Sequence, residues 1–205
     1  MRASTTYFKY LYYFIYCSSL KKITNYILNK IEKKAKKIYL KSLPTDVLID
    51  PCTICNLYCP GCAVGVKYAE LIEPGMLSFK QFKYIFDQFK DYVFNISLYC
   101  LGEPFLNQEI FSMIEYASIN RCGTTIHSNF NIFDEEMAEK AIKSRLTHIY
   151  LSIEGATQEI YEKYRVGGDI MRVFRNIEIL VNMKKKLKSV FPLLTWKYLI
   201  FPYNT

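Results

Sequence analysis

Apolar and polar positions follow two rhythms along this chain, and the rhythms succeed each other in a regular order. Apolar runs at 47–50 ("VLID"), 95–101, 124–129, 148–153 and 193–201 read as strands, being rich in β-branched and aromatic residues. Between them the period lengthens to three or four. Phe79, Phe82, Ile85, Phe86 and Phe89 share one side of a helix that Ser78 opens, with Gln81 three residues on to complete a capping box. A second helix covers roughly 107–121 and stops near Gly123. Asp134 caps a third, with Met137, Ile142 and Leu146 inside, and helical segments follow around 157–165 and 170–188.

Strands alternating with helices predict βαβ units, an α/β class and a parallel sheet. No connection is short enough for a hairpin. Two architectures fit: a doubly wound open sheet, or a barrel in which successive strands lie side by side. The first strand is not followed by a glycine-rich phosphate loop, which weakens the dinucleotide-binding version of the open sheet. That loop carries thiols instead.

Ahead of this pattern stands a different one. Residues 7–17, "YFKYLYYFIYC", are aromatic and apolar but shorter than the ~20 residues a membrane span needs. Then Leu20, Ile23, Ile27, Ile31, Ala35 and Ile38 recur at helical spacing among lysines. The plainer reading packs this stripe on the domain and keeps the lysines in water. The alternative lays the 7–41 stretch on an anionic membrane surface, a peripheral contact. The expected division is therefore 1–43 as a basic helical extension and 44–205 as the core domain.

Composition changes this picture in two places. The formal charge is +8, yet eight lysines and one acid (Glu32) fall between Lys21 and Lys41. The rest is near neutral, and no nucleic-acid partner is expected. Seven cysteines are an odd number for a disulfide framework, and Cys52, Cys55, Cys59 and Cys62 lie too close together to staple distant segments. No small-residue cleavage site follows the first apolar run, so the thiols are read as reduced, in a cytoplasm, where such spacing favours metal binding. Cys17, Cys100 and Cys122 read as small apolar residues.

In parallel α/β folds chemistry gathers at the carboxyl ends of the strands. Here those ends carry the thiol loop, then Gly102-Glu103-Pro104, then His127-Ser128-Asn129, then Ser152, Glu154 and Gly155. In the fourth strand His148, Tyr150, Ser152 and Glu154 share one face while Ile149, Leu151 and Ile153 share the other. A polar inner face suggests a wet, ligand-bearing cavity. A cluster of four irons held by three thiolates leaves one iron open, the mark of a catalytic metal. Glu103 at the next strand end can accept hydrogen bonds from an ammonium group on that iron, and Gly102 allows close backbone approach.

Cys55-x3-Cys59-x2-Cys62 after the first strand resembles the cluster motif of the radical S-adenosylmethionine (SAM) enzymes. "LGEP" (101–104) is similar to their glycine-glycine-glutamate-proline motif, and "SIEGATQEIYEKYR" (152–165) to the segment after their fourth strand. In that segment Glu154 stands where an aspartate is common. The resemblance runs from about residue 44 to 205, and the nearest style is that of enzymes carrying a C-terminal SPASM domain, many of which modify peptides. It implies a (β/α)6 TIM-like barrel, partial here because five strands are counted and the chain is read as truncated after the fifth.

The resemblance further implies that Cys55, Cys59 and Cys62 ligate a 4Fe–4S cluster, with SAM on the fourth iron. Reductive cleavage of SAM, fed by a low-potential electron donor, would give a 5′-deoxyadenosyl radical that abstracts hydrogen from a peptide or small-molecule substrate. Cofactor contacts would come from Gly102, Glu103, Pro104, Ser128, Asn129, Ser152, Glu154 and Arg165. Of these, Gly102 and Glu103 would hold the methionine amino group, and Ser152 and Arg165 its carboxylate. Ser128 and Asn129 would lie near the ribose, and Leu199 to Phe201 near the adenine. Two positions depart from the pattern: Gly61, where an aromatic is common, and Leu101, where the first glycine stands. The rival reading is a structural zinc or iron–sulfur module using Cys52 with the other three thiols.

Overall fold

The structure, a computed structural model, describes residue 11, residues 15–66 and residues 72–204. Five strands form one parallel sheet: β1 (Asp46–Ile49), β2 (Asn95–Leu98), β3 (Gly123–Ser128), β4 (His148–Ser152) and β5 (Leu193–Lys197). Their spatial order is their sequence order. A doubly wound sheet reverses direction at a switch point, so this order selects the barrel-like alternative. β2 and β5 end earlier than the apolar runs suggest. After Leu98 and Lys197 the chain leaves the ladder, in one case to build the wall of a cleft and in the other to enter a turn. Asn204 ties that turn: its side chain accepts from Phe201 N–H and donates to the Leu199 and Glu154 carbonyls.

The helices follow the expected periods. α1 spans Leu20–Lys34, α2 Phe79–Asp87, α3 Ile110–Ile119, α4 Glu135–Lys143, α5 Gln158–Glu162 and α6 Ile170–Lys186. Ser78 and Gln81 close the predicted capping box, and Asp134 accepts from Met137 N–H. The core lies between these helices and the outer face of the sheet, where Phe82, Phe86, Ile96, Leu98, Ile126, Ile149 and Leu151 are buried together. Neighbours in register put His148 opposite Thr125 and Leu193, and Tyr150 opposite His127 and Thr195. The inner face is accordingly polar and aromatic. Tyr99 stacks on His127 at 3.7 Å between ring centroids, and Tyr150 touches both His127 and His148.

One expectation is overturned. The apolar stripe of α1 does not pack on the domain: Leu20, Ile23, Ile27 and Ile31 are exposed, while Lys22, Asn25 and Glu32 are buried. The helix is seated by its polar side through long-range bonds that periodicity cannot reveal. Residues 7–10 and 12–14 of the aromatic run lie outside the described residues, and none of the described helices is long and apolar enough to cross a membrane.

Candidate metal and cofactor site

The loop after β1 is pinned before it presents its thiols. Cys52 pairs with Met76 across an isolated bridge, Leu77 N–H donates to the Pro51 carbonyl, and Tyr58 N–H donates to the Val166 carbonyl. The Asn107 amide spans the Pro51 and Leu77 carbonyls at 2.8 Å each. Two glycines permit the close packing. A side chain at Gly65 would stand 2.4 Å from the Cys59 carbonyl oxygen, and one at Gly102 would stand 2.3 Å from that of Cys52. Gly102 therefore serves the approach of the β2 end to the cysteine loop, where Glu103 N–H also bonds the Ile54 carbonyl.

Cys55, Cys59 and Cys62 line one cleft with Gly102, Glu103, Ser128, Asn129, Ser152 and Arg165. Cys52 does not. Its thiol is buried and exchanges hydrogen bonds with the Ile54 backbone at 3.3 Å, outside the cleft that the other three line. Burial pushes the Cys55 thiol up to about 11 and raises that of Cys59, the latter against the nearby Arg165. Both are neutral in the metal-free protein, so metal binding would release protons.

Nitrogen donors reach two of the three sulfurs. Asn129 Nδ2 stands 3.8 Å from Cys55 Sγ, and Arg165 Nη1 stands 3.6 Å from Cys59 Sγ. Such donors stabilise thiolate ligands and tune the metal they hold. Three thiols lining one cleft, two of them faced by N–H groups, offer the donor chemistry of a sulfur-ligated cluster, while among the described residues no three His, Cys, Asp or Glu side chains stand together as a site for a single metal ion.

Glu103 joins the ends of β2 and β3. Its carboxylate accepts from Ser128 Oγ and Asn129 N–H at 2.8 Å each, and from Phe105 N–H at 3.2 Å. Burial pushes its pKa up to about 7, opposed by these three donors. Pro104 does not line the cleft; it opens a 3₁₀ turn, Pro104–Leu106, that Glu103 caps. The next strand end is strained: Phe130 holds φ at 61°, a left-handed conformation rare for a bulky residue. Ser128 Oγ accepts from Phe130 N–H, and Asn176 donates to the Phe130 carbonyl. This turn is what aims the Asn129 N–H at Glu103.

Glu154 is fully buried and stands behind Arg165, not in the cleft wall. It receives both Nε and Nη2 of Arg165. Burial works against the guanidinium charge, and Glu154 more than offsets it, so the Arg165 pKa is raised. Gly61, the position lacking an aromatic, faces the Tyr164 ring, which would lie 3.2 Å from any added Cβ and sits 4.8 Å from the Phe201 ring. An aromatic supplied from just beyond α5 thus occupies the space beside Gly61. Leu199 to Phe201 do not line the cleft.

Sequence reasoning missed Lys197, Tyr99, Leu57 and Cys100, which also line it; Cys100, read as a small apolar residue, is instead exposed in the cleft wall. Lys197 was accessible to it: residues 193, 195 and 197 alternate inward, opposite His148, Tyr150 and Ser152. His127, also in the wall, is pushed down to about 4, chiefly by burial, with Lys197 and His148 adding to it. It is a neutral ring at neutral pH.

With this geometry in hand, comparisons with known proteins converge. The family profile described as Radical SAM superfamily matches residues 49–195. Mycofactocin maturase MftC of Mycobacterium ulcerans is 27% identical over 127 residues, covering 62% of this chain and 33% of that protein. An AdoMet-dependent heme synthase of Oleidesulfovibrio alaskensis is 24% identical over 127 residues, with 62% and 32% covered. The chain spans about a third of the length of these curated relatives. Among solved structures, Streptococcus suis SuiB bound to S-adenosylmethionine superposes with a TM-score of 0.57 at 18% identity, over 86% of this chain and 46% of that one. SuiB bound to its precursor peptide SuiA gives 0.54 at 20% identity, over 82% and 42%.

Proposed function

This chain belongs to the radical SAM superfamily, and from that premise we propose that it reductively cleaves S-adenosylmethionine to initiate hydrogen abstraction from a peptide or protein. The catalytic core is residues 44–205, of the SPASM-associated kind. When bound, a 4Fe–4S cluster supplies the low-potential electron, drawn from an external donor, that splits SAM into methionine and a 5′-deoxyadenosyl radical.

The chain's own residues do the rest. Cys55, Cys59 and Cys62 would hold the cluster through their thiolates, while Asn129 and Arg165 donate toward two of their sulfurs. Glu103 offers a buried carboxylate to the methionine amino group, kept in place by Ser128, Asn129 and the turn that Pro104 begins. Ser152 and Lys197, on facing positions of β4 and β5, and Arg165 stand ready for the carboxylate. Glu154 orients Arg165. Ser128 and Asn129 border the ribose. A peptide substrate is supported by the maturase relative and by the peptide-bound SuiB structure.

One observation carries this reading: the three motif thiols, Cys55, Cys59 and Cys62, share a cleft with Glu103 and with Cys100 at the β2 end, while Cys52 is committed elsewhere. Anaerobic reconstitution with iron and sulfide tests it. About four irons per chain are expected in wild type and in Cys52→Ala, but not in the Cys55/Cys59/Cys62 triple alanine variant. One zinc per chain, lost on Cys52→Ala, would overturn it.

A further inference from the structure

The seating of α1 leaves an unusual surface. Its inward side is polar and satisfied. Lys22 Nζ donates to the Arg121 carbonyl at 2.6 Å and the Asn120 carbonyl at 3.4 Å, a cation on the C-terminal end of α3. Asn25 both accepts from Leu43 N–H and donates to the Leu43 carbonyl. Glu32 accepts from the N–H groups of Lys41 and Ser42, bonds that hold its carboxyl below the ordinary range. Turning the helix to bury its isoleucines would strip all of these partners from groups already out of water.

The outward side is consequently apolar. Leu20, Ile23, Ile27 and Ile31 are 79, 40, 52 and 57% exposed, in one stripe at helical spacing. Ile38, Tyr39 and Leu40 beyond the helix are exposed as well. A soluble surface rarely leaves such a stripe uncovered unless something binds it.

Charge decides what. Lys21 is paired with Asp91, and Lys22 is spent on carbonyls. Glu32, the one acid of the segment, is buried. Lys30, Lys33, Lys34, Lys36, Lys37 and Lys41 form no salt bridge among the described residues. A second copy of the helix would bring the same cations against these. An anionic lipid surface instead offers acyl chains to the stripe and phosphates to its lysine border.

We propose that the outward stripe of α1 docks on an anionic lipid bilayer. The helix lies across the amino-terminal ends of the strands: Lys21 reaches Asp91 ahead of β2, Lys22 reaches Arg121 ahead of β3, and Tyr16 accepts from Arg145 ahead of β4. The cysteine cleft is at their carboxyl ends. Docking therefore turns the cleft away from the membrane, open to substrate arriving from solution. This placement is independent of the cluster chemistry.

Co-sedimentation of the full chain with vesicles tests it. Vesicles of phosphatidylcholine with about a third phosphatidylglycerol should bind the protein at least tenfold more strongly than phosphatidylcholine alone, and salt should weaken the binding. The Ile23→Gln/Ile27→Gln/Ile31→Gln variant should lose at least tenfold in partition with an unchanged thermal melt, since these side chains face outward and glutamine suits a helix. Lys33→Gln/Lys34→Gln/Lys36→Gln/Lys37→Gln should abolish the preference for the anionic lipid. Absence of vesicle binding, or binding that the isoleucine variant retains, would overturn the proposal. So would a dimer in light scattering that the isoleucine variant alone dissolves, which would assign the stripe to a second copy.

Discussion

Arg165 gives two of its guanidinium nitrogens to Glu154 and turns the third toward Cys59 Sγ. A carboxylate with no exposure thus fixes a cation beside the Cys59 thiol. Neither residue is stable in place without the other.

The pair should behave as a unit in denaturation experiments. Glu154→Ala leaves a buried cation uncompensated and should cost about 3 kcal/mol. The Glu154→Leu/Arg165→Met double variant, with both charges gone, should cost less than that single change. A double-variant loss equal to the sum of the two single losses would show that the pair is not coupled.

Glu103 predicts a pH dependence of the metal-free protein. Its folded pKa of about 7 lies above the ordinary 4.5, so between these values the native state keeps a proton that the unfolded chain has released. Its contribution to stability is fully present below pH 4.5 and is lost as pH rises through about 7, a loss of up to roughly 3 kcal/mol. Urea midpoints at mildly acidic and mildly alkaline pH should show this decline in wild type. Glu103→Gln should lack it.

Ser128→Ala should move that titration upward. The hydroxyl donates to the ionised carboxylate and accepts from Phe130 N–H. Its loss should raise the Glu103 pKa further and cost about 1–2 kcal/mol. An unshifted midpoint in the pH series would contradict the assigned bond.

Gly102→Ala should be disruptive despite adding one methyl group. That methyl meets two backbone oxygens, of Cys52 and Ile54, at 2.3 and 2.5 Å, and backbone atoms cannot swing aside as side chains do. A destabilisation of about 2 kcal/mol with poorer iron loading is expected, measured by urea titration and iron content.

Much of this was legible in the chain itself. The five strands and the helices between them follow from a switch of period, and the strand-end chemistry from the rule that parallel sheets work at their carboxyl ends. The triad of thiols was visible as spacing, yet spacing could not say that Cys52 turns away, because that depends on the Ile54 backbone. Nor could it say that Glu154 serves Arg165, since the two meet only when the segment after β4 folds back. The α1 stripe was found and its direction misjudged. A stripe shows that a helix has two sides, and only the distant partners of Lys22 and Asn25 decide which one packs.

One product reports radical SAM chemistry in this chain most directly. Reconstituted protein, given dithionite and SAM without oxygen, should release 5′-deoxyadenosine in wild type and in Cys52→Ala, and none when Cys55, Cys59 or Cys62 is changed to alanine. Iron-loaded wild type that forms no 5′-deoxyadenosine, or alanine variants that still form it, would contradict the account.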